Sequence, residues 1–134
     1  FENNKDLIKD ENRKKRAKHA VYENQRTIKA VEALKANNIV EFGKLMYGSH
    51  ESLRYDYEVT GKELDTLVDE AKKVNGVLGA RMTGAGFGGC AIALIKNDNI
   101  DEFRKNVIKY YNEKLGIIPD VYQIDIVDGV SEFK

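Results

Sequence analysis

The chain has 134 residues, which is enough for one domain and too few for two of ordinary size. Its hydrophobic residues (42%) and charged residues (33%) have the proportions of a folded globular protein and exclude a disordered tail. The 22 Lys and Arg residues balance 22 Asp and Glu residues, so the excess positive charge expected of a nucleic-acid-binding protein is missing. Because no apolar run approaches the roughly 20 residues of a membrane-spanning helix, we also expect no membrane partner.

The N-terminal sequence and the single cysteine bear on origin and location. The chain begins Phe1-Glu2-Asn3-Asn4, without an initiator Met and without the pattern of a signal peptide, which predicts a piece of a longer protein. Cys90 is the only cysteine and cannot form an internal disulfide, so no oxidising compartment is required. The predicted location is therefore the cytoplasm.

The first part of the chain predicts two helices. Charged residues 10–16 form a solvated start, and apolar residues then recur near the 3.6-residue period at Ala17, Val21, Ile28, Val31 and Leu34. Asn37-Asn38 ends this helix, and Asn38 with Glu41 predicts the cap of a second one. We expect the second helix to run to about Tyr55, with an apolar stripe at Ile39, Phe42, Leu45, Met46 and Leu53.

A third helix is predicted from a capping-box pattern. Thr60 and Glu63 provide a hydroxyl and, three residues later, a carboxylate, which can satisfy free backbone N–H groups at a helix start. The helix carries one apolar face, formed by Leu64, Leu67, Val68 and Ala71. Asn75-Gly76 predicts a left-handed exit from it.

The second half of the chain predicts strands around a glycine loop. Residues 77–82 are predicted as a strand, and residues 90–95 as a strand buried on both faces because they are continuously apolar. A fourth helix follows residues 97–99, ends at Gly116 and carries Ile100, Phe103, Val107, Tyr110, Tyr111 and Leu115. Residues 122–126 alternate between apolar and polar and predict a last strand with one wet face. This order of elements indicates an α+β fold.

The glycine loop, residues 84–89, holds four glycines, more than a simple turn requires. Gly84, Gly86 and Gly89 match the spacing G-x-G-x-x-G, but a dinucleotide fingerprint needs a helix after the loop and here a strand follows. The Gly-Lys-Ser/Thr run of a P-loop is missing. Two interpretations remain: a turn whose glycines permit positive φ, or a loop whose backbone amides approach a phosphate or sugar. We favour the second.

Residues beside the loop leave further alternatives. Thr83 either adds a hydroxyl to the loop or is an ordinary strand-end residue. Arg81 is either a guanidinium for a phosphate or an outward strand residue in an ion pair. We expect a side chain at Gly86 to block ligand approach and abolish activity without unfolding the domain.

Other chemically reactive residues give weaker signals. Ser49, His50 and Glu51 include a nucleophile, a base and an acid, but neighbours on a helix point in different directions, so we expect no relay among them. His50 is interpreted as structural, for example as a bond across a helix boundary. His19 and Cys90 lack partners at metal-ligand spacing, and we expect no metal site in this chain.

The stretch Gly79-Ala80-Arg81-Met82-Thr83-Gly84-Ala85-Gly86-Phe87-Gly88-Gly89-Cys90 resembles the third signature motif of galactokinases, within the GHMP small-molecule kinase superfamily. Residues 42–46 and 49–59 are similar to a galactokinase helix-and-loop segment, and residues 16–23 to the helix before it. Glycine loops occur across the superfamily, so it is the run Ser-His…Leu-Arg…Asp-Tyr-Glu-Val that points to galactokinase. Tyr55 departs from the family, which usually carries Asp there.

The resemblance implies that residues 1–134 are the C-terminal domain of a larger, two-lobed kinase, with helices packed on one face of a small, mostly antiparallel sheet. The intact enzyme would transfer the γ-phosphate of ATP, with Mg²⁺, to the C1 hydroxyl of galactose, a step of galactose metabolism. In the family the sugar-binding signature, the serine-rich phosphate loop, the magnesium ligands and the catalytic Asp belong to the N-terminal part. No catalytic residue is therefore assigned to this chain. We expect it to be inactive alone and to hold no cofactor tightly, with galactose and ATP bound through the N-terminal lobe.

The resemblance assigns the glycine loop to the substrates, because in the family this loop lies at the cleft between the lobes. The residues it implies near substrate or phosphate are Met82, Thr83, Gly84, Ala85, Gly86, Phe87, Gly88 and Gly89, and Arg81 is a further candidate. Other functions stay open at this point: a non-catalytic, sugar-sensing regulator related to galactokinases, or a kinase for a related sugar such as N-acetylgalactosamine. A stand-alone interaction module is a third alternative.

Overall fold

A computed structural model describes residues 1–125, 127 and 129 of the chain. The helices and strands follow in the order α1 (Glu11–Lys35), α2 (Ile39–Ser52), α3 (Gly61–Ala71), β1 (Val77–Thr83), β2 (Cys90–Ile95) and α4 (Ile100–Leu115). A π-helical turn, Leu53–Tyr57, extends α2, and short 3₁₀ turns lie at Lys5–Leu7 and Asn97–Asn99. The four predicted helices and the strand–loop–strand unit are thus confirmed.

Local capping chemistry explains most of the helix ends. The Asn38 side chain accepts a hydrogen bond from the Glu41 amide at 3.1 Å, as predicted for the start of α2. Gly76 and Gly116 adopt positive φ angles (+83° and +70°) where α3 and α4 give way to the next segment. The capping-box prediction at Thr60 is wrong, because its helical φ and ψ of −79° and −55° leave the side chain without a cap hydrogen bond.

The sheet is a two-stranded antiparallel hairpin, with Ala80 opposite Ala93 and Met82 opposite Ala91. The prediction that residues 90–95 are buried on both faces is wrong, because Cys90, Ile92 and Ala93 are exposed. In a two-stranded sheet with helices on one side, continuous apolar sequence does not imply cover on both faces.

The predicted last strand does not form within residues 122–125, and Ile126 lies outside the described residues. Tyr122 and Ile124 are exposed by 80% and 78%. Alternating polarity makes a strand only where a neighbouring strand supplies hydrogen bonds, and no such pairing involves these described residues.

Two buried apolar clusters hold helices against the sheet. The larger joins α3, β1 and α4 and consists of Val68, Ala71, Val74, Ala80, Phe103 and Val107. The smaller lies under the start of the glycine loop and consists of Leu53, Leu64 and Met82. Helix α3 contributes to both, which agrees with the predicted amphipathic face. The predicted α+β class, with helices packed on a small antiparallel sheet, is confirmed.

Helix α1 contacts the rest of the chain mainly through polar groups. Its predicted apolar stripe is solvent-exposed at Val21, Ile28, Val31 and Leu34, and Ala33 is its one buried residue. The periodicity therefore identified the helix correctly but not the face that packs. Across the part of the chain that the structure describes, no helix is both long and apolar enough to span a bilayer.

Candidate functional site: the glycine loop

The glycine loop joins β1 to β2 in a backbone conformation that few residues tolerate. Gly84, Gly86 and Gly88 have φ angles of +80°, +90° and +96°, and Phe87 between them has +57°. A side chain in this left-handed region strains the backbone, whereas glycine carries no Cβ and adopts it freely. The density of glycines in the sequence thus has a direct conformational cause.

Gly86 is the point at which the loop rests on its own chain. The Phe87 amide donates a hydrogen bond to the Val59 carbonyl at 2.8 Å. A Cβ added at Gly86 would collide with that same carbonyl oxygen, so only glycine allows the approach. The expectation that Gly86 makes room for a ligand therefore changes, because the space it leaves is occupied by Val59.

The other side of the loop is open. A Cβ at Gly84 or Gly88 would meet no atom within 4 Å. The Phe87 side chain is 76% exposed, and Thr83, Ala85 and Gly89 are also exposed. The loop therefore presents backbone to solvent on one face while it is anchored on the other, which is the arrangement in which N–H groups can meet an anion or a sugar hydroxyl.

Met82 supports the loop from below. Its side chain is buried against Leu53 and Leu64, and its terminal methyl lies 3.3 Å from the position of a Cβ on Gly86. Met82, a predicted site residue within β1, thus belongs to the core, and the exposed members of the predicted site are residues 83–85 and 87–89.

His50 ties the start of the loop to α2 and α3. Its ring is 1% exposed, and its Nδ1 accepts a hydrogen bond from the Met82 amide at 3.2 Å. Its Nε2 lies 3.3 Å from Asp65 Oδ1, although the two atoms lack hydrogen-bond geometry. Burial lowers the pKa of His50, more than the charge of Asp65 raises it. His50 is structural, as predicted, and does bond between separate elements.

Arg81 is half-buried on β1, next to the loop. Its Nε donates to the Met82 carbonyl at 3.0 Å, and burial lowers the pKa of its guanidinium. Within the described residues it forms no ion pair with Asp or Glu, so the structural alternative predicted for it is not formed. A desolvated cation without a counter-charge favours the binding of an anion.

The run from Arg54 to Glu58 holds the helices around the loop. The Arg54 side chain bridges Asp65 and Asp69 of α3 at 3.1 and 3.2 Å. Glu58, in a left-handed conformation, receives Lys15 and Arg16 of α1 at 3.1 and 2.7 Å. Glu58 precedes Val59, so these ion pairs brace the backbone on which the loop rests.

The remaining reactive side chains do not assemble into a relay or a metal site. Ser49 Oγ donates to Glu23 at 2.6 Å, and Ser52 Oγ lies 3.0 Å from His19 Nδ1, so each serine faces α1 rather than His50. Among residues 1–125, 127 and 129 there is no group of three His, Cys, Asp or Glu side chains that could hold a metal ion. The sequence did not predict the role of Val59, because a backbone carbonyl that accepts a hydrogen bond from a distant loop leaves no pattern in the sequence.

The chain combines helices packed on an antiparallel hairpin with an open glycine loop, and its sequence matches one family of proteins. Residues 30–113 match the profile of the family described as GHMP kinases C terminal. That match covers more than half of the chain, and the chain belongs to this family.

Individual relatives agree with this assignment. The chain is 54% identical over 132 residues to a galactokinase of Clostridium acetobutylicum, covering 98% of this chain and 34% of the relative. It is 58% identical over 123 residues to a galactokinase of Streptococcus thermophilus, covering 92% and 32%. The chain therefore spans about a third of the length of the curated relatives it matches.

Solved structures give the same picture. A Lactococcus lactis galactokinase complexed with galactose superposes with a TM-score of 0.86 at 59% identity, over 88% of this chain and 30% of that one. A mevalonate kinase of L. major, in complex with R-mevalonate, superposes with a TM-score of 0.54 at 30% identity, over 67% and 26%. The fold is thus shared with a galactokinase and, less closely, with a mevalonate kinase.

Proposed function

We propose that this chain is the C-terminal part of an ATP-dependent sugar kinase that phosphorylates galactose on its C1 hydroxyl. The observation that carries the proposal is the identity of 54–58% to galactokinases over nearly the whole chain, a span that includes residues 82–89. At this identity the loop and its supports are expected to do here what they do in the relatives.

In this proposal the glycine loop forms one wall of the substrate site. Its contribution comes from the backbone, because the face that carries Gly84 and Gly88 is open and the opposite face is anchored on Val59. Phosphoryl transfer depends on positioning and on stabilisation of charge, and a fixed row of backbone amides serves both. The exposed Thr83 hydroxyl adds a donor at one end of this wall.

We assign Arg81 to the part of the site that binds the phosphate groups of the nucleotide. Arg81 lacks a carboxylate partner among the described residues, and it lies in β1, three residues before the first loop glycine. A guanidinium of this kind pairs with phosphate oxygens through two parallel hydrogen bonds. Its role is therefore to attract or orient a phosphate group of the nucleotide.

The chemical step needs groups from the rest of the protein. A bond forms between the C1 oxygen of galactose and the γ-phosphorus of ATP, the bond to the β-phosphate oxygen breaks, and the hydroxyl proton passes to a base. We assign that base and the magnesium ligands to the N-terminal part, as the resemblance implies. The isolated chain is then expected to be inactive, because a wall without base, metal ligands or phosphate loop supplies little of the barrier reduction. The cytoplasm remains the location predicted from the sequence.

The test uses the full-length protein that carries residues 1–134 and a panel of galactose, N-acetylgalactosamine and glucose, each with MgATP. Formation of galactose 1-phosphate, with galactose preferred over the other two sugars, supports the proposal. A preference for N-acetylgalactosamine would support sugar-kinase activity and contradict galactose as the substrate. Sugar binding without any sugar phosphate would show a regulator in place of an enzyme and would overturn the proposal.

A further inference from the structure

The entry to the glycine loop depends on one buried side chain. Met82, the residue before Thr83 at the end of β1, directs its amide away from β2 and towards α2, where His50 Nδ1 accepts the hydrogen bond at 3.2 Å. A buried backbone N–H that finds no acceptor costs about 1–3 kcal/mol. At this edge of the hairpin the His50 ring thus supplies the hydrogen-bond acceptor that a third strand would otherwise supply.

The hydrogen bond fixes the tautomer of His50. Because Nδ1 accepts a hydrogen bond from the Met82 amide, Nδ1 itself carries no proton, and in the neutral ring the proton resides on Nε2. Nε2 faces Asp65 Oδ1 at 3.3 Å, while Asp65 Oδ2 pairs with Arg54 Nε at 3.1 Å. The carboxylate therefore stands on the side where the proton resides, which favours the tautomer that can serve Met82.

We infer that His50 is a positioning residue for the glycine loop: it holds the Met82 amide and so sets the direction in which residues 83–89 leave β1. The consequence for catalysis rests on the proposed function, whereas the effect on the loop does not. With the Phe87 amide held by Val59, the loop then has one fixed point at its entry and one at its centre. A wall fixed at both points loses less conformational freedom when a substrate binds.

Two substitutions separate the two ends of the ring. In His50→Asn the side-chain oxygen can take the position of Nδ1 and still accept from Met82. In His50→Gln the amide extends to the position of Nε2, so the contact with Asp65 is retained and the acceptor for Met82 is lost. Hydrogen exchange of backbone amides is measured in the 134-residue chain, with the buried residues Phe103, Val107 and Tyr111 of α4 as internal reference.

We expect His50→Gln to accelerate exchange of the hydrogen-bonded Met82 and Phe87 amides by about fivefold relative to α4, the equivalent of one hydrogen bond, and His50→Asn to leave the ratio near that of the parent chain. Equal acceleration by both variants, or acceleration spread evenly over the chain, would overturn the inference. If His50→Gln does not fold, nitrogen NMR of the parent ring decides: a protonated Nδ1 contradicts the role, and an unprotonated Nδ1 coupled to the Met82 amide supports it.

Kinetics of the full-length protein then link the loop to the reaction. His50→Gln is expected to lower kcat more than it raises KM for the sugar, and His50→Asn is expected to restore most of the loss. If the full-length protein phosphorylates no sugar, the proposed function fails while the exchange result still decides whether His50 positions the loop. If turnover is normal in a His50→Gln variant whose loop exchanges faster, the link between loop order and catalysis is wrong.

Discussion

Replacement of Gly86 by alanine is the sharpest test of how the loop is anchored. The φ angle of +90° penalises any Cβ by about 1–2 kcal/mol. The added methyl also collides with the Val59 carbonyl oxygen, so the loop has to move and the hydrogen bond from the Phe87 amide is lost, at a further cost of about 0.5–1.5 kcal/mol. We therefore expect Gly86→Ala to lower the free energy of unfolding by about 1.5–3.5 kcal/mol.

Gly84→Ala and Gly88→Ala are matched controls, because they carry the same kind of backbone strain without a collision. Their φ angles are +80° and +96°, and a Cβ at either position meets nothing within 4 Å. Each control is expected to cost only the strain, about 1–2 kcal/mol. Urea unfolding followed by circular dichroism measures all three variants, and amide exchange at Phe87 reports the anchor directly. Equal destabilisation by the three, with the Phe87 amide protected in Gly86→Ala, would refute the anchoring role of Val59.

Three further predictions concern the core, the contact between α2 and β1, and pH. Leu64→Ala, at a fully buried position, is expected to lower the free energy of unfolding in urea by about 2–5 kcal/mol. Leu34→Ala, at an exposed position of α1, should change it by no more than about 0.5 kcal/mol. Similar losses in the two variants would show that α1 packs differently. Gly43→Ala places a methyl against the Leu78 carbonyl of β1 and is expected to cost about 1–3 kcal/mol, while Gly48→Ala meets only the flexible Arg26 side chain; equal melting temperatures would contradict the close crossing. Burial lowers the pKa of His50 below its ordinary 6.5, so as the pH falls the unfolded chain binds a proton before the folded chain does. The free energy of unfolding should therefore decrease below about pH 6.5, and His50→Asn should flatten that part of the stability–pH curve. An unchanged slope in His50→Asn would argue against a buried neutral ring.

Elements that depend on local chemistry could be predicted from the sequence. The Asn38 cap, the glycine exits at Gly76 and Gly116 and the apolar face of α3 all follow from residues a few positions apart, and each forms as predicted. These features need no knowledge of the neighbouring elements, because capping and amphipathic periodicity are properties of one segment.

The errors arise where the outcome depends on a distant partner. The exposure of Ile92 and of the α1 stripe depends on how many elements cover them, and this cannot be read from their own periodicity. The strand predicted at residues 122–126 lacks a paired neighbour in the part that is described. Thr60 fails as a side-chain cap because its backbone is helical, and the spacing of Thr60 and Glu63 alone did not predict this conformation.

The candidate site divides in the same way. The position of the loop and its need for positive φ were visible in the spacing of the glycines. The reason that position 86 requires glycine was not visible, because that reason is the close contact with the Val59 carbonyl. The hydrogen bond between His50 and Met82 was not visible either, because it joins residues more than thirty positions apart. Buried polar contacts of this kind are set by tertiary packing and leave no periodic signature.

The most direct test of the central claim compares ADP release, with MgATP and galactose, by the 134-residue chain and by the full-length protein that carries it. We predict galactose-dependent turnover by the full-length protein and none above background by the chain alone, since our proposal assigns to residues 1–134 a wall of the site and not its base or metal ligands. Clear turnover by the chain alone would contradict that division, because a complete catalytic site would then lie within these residues.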